Sequence, residues 1–325
     1  MTLRRRRFLH LAAGAIALPA VSRMARAQAY PSKPIRLILP YTAGSPNDVI
    51  ARLVTPALST QLGQSVVIDN RPGGGTTIGT RAVMTAEPDG YTLLWSNSPS
   101  HFIAPSVSKA AGYDAIKDFT AVALVASNAN VLVIVPSLPT KTLAEFIAYA
   151  KANPGKLNFG YGQGTTPQLI GGLFQQETGI KLSFIPYKGG AQAVADMLGG
   201  HIHMNIGTSS TLRPLHVSGK LRALAVTSTA RMPELPDVPT MIESGYPNVT
   251  SAVYYGIFGP AGLPAEIVAR INGAANASLK SPALLTRFAE LGFQAQGGSP
   301  QDFAALIPAE MKKWLPIVKA TGFTM

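Results

Sequence analysis

Ile35-Arg36-Leu37-Ile38-Leu39-Pro40-Tyr41-Thr42-Ala43-Gly44-Ser45-Pro46-Asn47-Asp48-Val49-Ile50 is the stretch whose reading decides the fold. Its first five residues are apolar except for Arg36 and predict a strand. Pro40, which has no N–H for a ladder, stops that strand. After a short loop, Val49, Ile50, Leu53, Val54 and Leu58 fall at helical spacing, with Asn47 or Asp48 as the cap. Strand, loop and helix in this order make the first half of a β-α-β unit.

Working toward the C-terminus, 65–69 predicts a second strand, 70–75 a glycine-rich turn and 78–86 a helix. Pro88-Asp89-Gly90 then turns the chain into a strand at 91–95. The order β-α-β-α-β predicts a parallel, doubly wound sheet. The pattern starts again after a change of register. Apolar strand runs are expected at 122–125 and 131–135, then strands at 157–161, 182–186, 202–206 and 221–227. Helices are expected between them at 142–152, 167–178 and 191–198. A strand at 253–258 and two helices, 264–279 and 300–320, close the chain. No low-complexity linker separates the two α/β units, which predicts lobes joined by crossing strands.

Working toward the N-terminus, Arg4 to Arg7 precede Phe8-Leu9, a short apolar run and Ala25-Arg26-Ala27. A basic segment, a short apolar segment and a small-x-small site predict a cleaved export signal over 1–27, and the arginines suggest the twin-arginine route. A short membrane anchor is the competing reading, but about 20 apolar residues are needed to span. Removing 1–27 takes six arginines and no acids, so the net charge of +12 falls to +6 over 298 residues. That length suits two domains. The remaining basic residues are scattered, not gathered in the stripe a nucleic-acid binder needs. The chain has no cysteine, which excludes disulfides, thiol catalysis and cysteine-bound metal.

Ligands of open α/β sheets bind at the carboxyl ends of the strands, and helix N-termini there favour anions. The loop 40–48 is one such place and 160–168 the other. Gly160, Gly162 and Gly164 give G-x-G-x-G, without the spacing or the acidic partner of a dinucleotide fingerprint and without a P-loop lysine. No G-x-S-x-G elbow is present. His201 and His203 share a strand face and could ligate metal with His216. Edge-strand histidines are the simpler reading.

The chain resembles the Bug proteins, the periplasmic solute-binding components associated with tripartite tricarboxylate transporters. The resemblance rests on Tyr30-Pro31-Ser32-Lys33-Pro34-Ile35, the loop and helix of 40–52, Asn70-Arg71-Pro72-Gly73-Gly74-Gly75 and Pro88-Asp89-Gly90-Tyr91-Thr92-Leu93-Leu94. It continues in Pro186-Tyr187-Lys188-Gly189, Asp196-Met197-Leu198-Gly199-Gly200, Leu235-Pro236-Asp237-Val238-Pro239-Thr240 and Gly259-Pro260-Ala261-Gly262-Leu263-Pro264. It implies an α/β, two-lobed Venus-flytrap binding protein, type II-like. Each lobe would be a doubly wound sheet, the two joined by two crossing strands. Lobe 1 would comprise 28–126 and 255–325, and lobe 2 127–254.

The implied function is periplasmic capture of a small organic solute, expected to be a carboxylate, for a membrane permease of the tripartite tricarboxylate type. The implied site takes Tyr41, Thr42, Ala43, Ser45, Asp48, Asn97, Ser98 and His101 from lobe 1. It takes Gly162, Gly164, Thr165, Thr166, Gln168, Tyr187 and Asn205 from lobe 2. Ser45 and Pro46 stand where relatives carry more glycine, and Gln168 where they often carry histidine. A monomer without cofactor, metal or catalysis is expected. The rivals are a ligand-sensing co-receptor for a signalling partner and an enzyme on the same scaffold.

Overall fold

The structure is a computed structural model that describes residues 30–103, 105, 111–162, 165–187 and 189–321. The expected export signal lies outside the described residues. β1 (Ile35–Leu39), α1 (Pro46–Leu62), β2 (Val66–Asn70), α2 (Thr77–Met84) and β3 (Thr92–Asn97) follow in the order the opening stretch predicts. β2, β1 and β3 lie side by side and parallel. Ile35, Leu37 and Leu39 face Ile50, Val54 and Leu58 of α1, while Ile38 and Leu94 face the opposite layer. This is the period-two alternation of a sheet covered on both faces. On that second layer, Gly79 lets α2 approach. A Cβ there would sit 2.8 Å from the Arg71 carbonyl oxygen and 2.9 Å from Pro40.

β4 (Phe119–Ile134) is one strand of 16 residues, where two separate runs are expected from the sequence. The intervening Ser127, Asn128 and Asn130 look like a break because they are polar. They mark instead the point where β4 changes partners. Up to Ala129 it pairs antiparallel with β9 (Ala252–Pro260), and from Asn130 with β7 (Met204–Thr208). The second sheet continues through β5 (Asn158–Gly162) to β6 (Ser183–Tyr187), both parallel to β7. Its helices are α3 (Leu143–Ala152), α4 (Thr166–Thr178), α5 (Gly190–Leu198) and α6 (Ser209–Val217). β8 (Arg222–Val226) and the two-residue β10 (Gln294–Ala295) also pair with β4. β9 lies between β3 and β4, so the first sheet reads β2-β1-β3-β9-β4.

α7 (Ala265–Ser278) and α8 (Pro282–Glu290) cover the first sheet with α1. The final helix, α9 (Pro300–Thr321), reaches both sheets. Near its start the Phe303 ring rests on Gly256, where a Cβ would come within 2.3 Å of it, and lies 4.9 Å from the Phe258 ring. Farther along, Trp314 and Ile317 are buried in the core that includes Leu173 and Phe174 of α4. That core is continuous from Leu94 and Phe258 of the first sheet to Phe159 and Ile206 of the second.

Two helices go beyond the sequence reading. α6 begins in Thr208-Ser209-Ser210-Thr211, a hydroxyl cluster that resembles a loop but is also the composition of a helix start. α8 begins with Ser281 as cap and Pro282 in the first turn, the pairing favoured at N-termini.

Candidate functional site

The carboxyl end of β1 is organised by one carboxylate. Ser45 caps α1, its Oγ accepting the Asp48 N–H at 3.3 Å. Asp48 Oδ2 accepts the Gly44 N–H at 2.9 Å and Arg52 Nε at 2.7 Å, and Oδ1 accepts Asn70 Nδ2 at 2.9 Å. Asn70 Nδ2 also donates to the Tyr41 carbonyl at 3.0 Å. The Arg52 guanidinium, helped by the Gly44 amide and Asn70, holds the Asp48 carboxyl down at about 2. Asp48 is buried and its oxygens face inward to these donors. It is a brace for the loop, and the exposed Thr42 and Ala43 are what the loop presents.

The end of β3 is braced as well. Asn97 Nδ2 donates to Asn47 Oδ1 at 3.0 Å, and Asn97 Oδ1 accepts the Ser100 N–H at 3.1 Å. Ser98 Oγ accepts the Tyr254 N–H at 3.2 Å. The Tyr41 hydroxyl meets Ser96 Oγ at 3.2 Å, and burial pushes its pKa upward.

His101, expected to contact the solute, is enclosed in the core. It sits in a π-type turn over Pro99–Ile103 and is 0% exposed. Its ring lies 4.2 Å from Phe258, 4.6 Å from Phe119 and 5.8 Å from Tyr113. Among the described residues both ring nitrogens are without a partner, and burial drives the pKa down to about 3. The neutral ring is enclosed by aromatic residues here. His101→Phe is therefore expected to leave solute affinity unchanged and to raise stability by about 1 kcal/mol, by removing two unsatisfied buried nitrogens. Calorimetric titration and a melting curve of that variant check both.

In the second sheet, Gly162 ends β5 and its carbonyl accepts Thr165 Oγ1 at 2.6 Å. A Cβ on Gly162 would lie 3.2 Å from the Gly190 nitrogen, so this loop and the start of α5 are in close approach. Thr165 caps α4 and Thr166 is buried behind it. Gly164 lies outside the described residues, as does Lys188. Gln168 is buried and faces a hollow beside Tyr161 and Phe184. Asn205 Nδ2 donates to the Gly160 carbonyl at 2.7 Å, tying β7 to β5. The Tyr187 hydroxyl donates to Asp196 Oδ2 at 2.7 Å; burial first, then Asp196, pushes it up to about 12. His203 and His216 each accept a backbone N–H on Nδ1, from Asn158 and Ala223.

The two sets of strand ends meet at β4. Asn97 pairs with Tyr255, Tyr255 with Ala126, and Thr208 with Asn130. Only Ala126 to Asn130 separates them, about 13 Å of strand. Asn128, Asn130 and Ser209 lie at this junction and are absent from the sequence-derived set. Ser209 Oγ donates to the Gly292 carbonyl at 3.1 Å and lies 3.4 Å from Asn128 Oδ1. The Asn130 carboxamide is buried without a partner among the described residues. The hydroxyl run 208–211 ahead of Leu212 was the signal for the start of α6. Together α1, α4, α5 and α6 begin at the strand ends. Helix N-termini carry unpaired N–H groups and partial positive charge, which suits an anion without a cationic side chain.

Comparison with known proteins identifies the family. The family described as "Tripartite tricarboxylate transporter family receptor" matches residues 50–323. Protein BugT of Bordetella pertussis is 35% identical over 309 residues, covering 94% of this chain and 95% of that protein. The structure of R. palustris Rpa4515 with adipate is 34% identical with a TM-score of 0.73, covering 91% of this chain and 99% of that one. MatC of Rhodopseudomonas palustris with bound malate is 29% identical with a TM-score of 0.71, covering 89% and 100%. On its sequence and its two-lobed fold, the chain belongs to the receptor family of the tripartite tricarboxylate transporters, the solute-binding proteins that include the Bug proteins.

Proposed function

We propose that this receptor closes its two lobes around a small organic carboxylate and presents it to a membrane permease of the tripartite type. The observation that carries the reading is the meeting of helix N-termini from both sheets across five residues of β4. The bound forms of Rpa4515 and MatC, with adipate and malate, support the carboxylate class. In this reading Thr42, Ala43 and the start of α1 hold one side of the solute, and Thr165 with the start of α4 the other. The lobes bend where β4 changes partners and where β9 begins, so lobe 2 is the segment between those points. The Asp48 brace keeps its own negative charge neutralised by Arg52. Residues 1–27 act as the export signal, cleaved near Ala27, and the mature chain works in the periplasm as a monomer. Binding and release, with no covalent step, complete the cycle.

Titration of the purified chain with adipate, malate and their diamides tests this. A ligand that binds only the native state raises the melting temperature by mass action. A saturable rise with a carboxylate, absent with the matched diamide and accompanied by a smaller radius of gyration in solution scattering, is expected. A response to the diamides alone would overturn the anion reading.

A further inference from the structure

A small cavity of about 120 Å³ lies between α9 and the strands that run from one sheet to the other. It has room for roughly four waters, or for one molecule of about five heavy atoms. Ser127 and Ala129 line it from β4, just before that strand changes partners. Thr227 to Thr229, past the end of β8, line it together with Thr250 and Ser251 at the entry to β9. Glu310 and Lys313, one turn apart on α9, line it from the helix. Thr229 and Gln296 are exposed and open it to solvent. None of the residues expected to contact the solute is in this lining.

Three polar groups here are left incomplete. The Ser251 Oγ is buried with no partner among the described residues. The Lys313 ammonium donates to the Thr250 carbonyl and, at 2.9 Å, to Thr250 Oγ1, which leaves one of its three N–H groups over. Glu310 Oε2 accepts Trp314 Nε1 at 2.8 Å, while Oε1 has no hydrogen bond among the described residues. The carboxyl and the ammonium feel each other's charge but make no hydrogen bond with one another. Burial, the main cause, pushes Glu310 up and Lys313 down. The Tyr254 hydroxyl in the same lining is pushed up to about 12, by burial first and then by Glu310. Taking charges out of water is costly unless each meets a close partner of opposite sign. A molecule that carries both charges in the reverse order would complete both.

We infer that this cavity is a second ligand site, distinct from the cleft, for a small zwitterion whose ammonium and acid groups are one or two carbons apart. Its ammonium would pair with Glu310, and its acid group with Lys313 and the Ser251 hydroxyl. A zwitterion held in this way ties α9 to the strands at the point where β4 changes partners. The inference does not depend on the carboxylate reading of the cleft.

Glycine is the probe, titrated into the purified chain by isothermal calorimetry beside acetate and methylamine, its two halves. Saturable binding of glycine is expected, with each half at least about tenfold weaker because one charge-assisted pairing is missing. Glu310→Gln keeps an oxygen for Trp314 Nε1 and loses the charge, and Lys313→Met keeps the apolar stem. Each should weaken glycine by about tenfold or more. Asp48→Ala, which disturbs the cleft loop, should bind glycine as the unaltered chain does. Absence of saturable glycine binding, acetate bound as tightly as glycine, unchanged affinity in Glu310→Gln or Lys313→Met, or a loss in Asp48→Ala equal to theirs would each overturn the assignment, the last by placing glycine in the cleft.

Discussion

Trp314→Ala is expected to lower the free energy of unfolding by about 4 kcal/mol, the range for deleting a large aromatic from a packed core. Trp314 is 1% exposed, on the part of α9 that packs in the shared core. Two terms add. The first is the cavity left by the indole, flanked by elements from both sheets that cannot all collapse into it. The second is polar. Trp314 Nε1 donates to Glu310 Oε2 at 2.8 Å, and burial already pushes the Glu310 carboxyl up. Removing the donor leaves a buried carboxyl with less support. A melting-temperature drop of roughly 10 °C follows for a protein of this size. Trp314→Phe restores packing without the N–H and should recover about half. Urea unfolding of the three proteins measures the split; a loss below about 1 kcal/mol in the alanine variant would show that α9 is not part of the core.

Asp48→Ala is the second large effect, and it separates bracing from contact. Arg52 is half exposed and regains water when its partner goes, so a loss nearer 2 kcal/mol than the figure for a fully buried pair is expected. The larger consequence is for binding. The Gly44 N–H loses its acceptor and the Asn70 amide one of its two, and Thr42 and Ala43 must be ordered by the solute itself. Ordering two residues costs about 2 kcal/mol or more, so solute affinity should fall by roughly 30-fold or more. The pH dependence has a definite sign. The folded pKa, about 2, lies below the unfolded value near 3.9. The stabilisation by ionised Asp48 is therefore complete above the unfolded value and is lost as pH falls through the folded one. The stability gap between the unaltered chain and Asp48→Asn should be constant near neutrality and close between about pH 4 and pH 2. A solute affinity unchanged in Asp48→Ala would remove the loop 41–45 from the site.

The strands of both sheets were legible because Ile35 to Leu39, Leu93 to Trp95 and Phe159 to Tyr161 are short apolar runs between turn residues. The two strand-to-helix loops after β1 and β5 were legible for the same reason, since they follow from strand order alone. Side-chain roles were less so. Asp48 sits where a ligand contact belongs, and only the arrival of Asn70, 22 residues later, shows that its second oxygen faces inward. His101 depends on Phe119 and Phe258, which no local pattern connects to it. The unbroken course of β4 was hidden because Ser127 and Asn128 look like a turn until Gln296 and Ser209 are seen beside them.

The place of β9 in the first sheet bears on how the chain comes to be folded. β3 and β4 are complete by Ile134, yet the strand that belongs between them starts at Ala252. During synthesis the N-terminal part therefore waits, with two strand edges unpaired, while more than a hundred further residues emerge. Long-range pairing of this kind is slow and leaves edges open to aggregation. The first lobe cannot mature as an independent nascent domain, and nearly the whole polypeptide must be available before its central strand can enter.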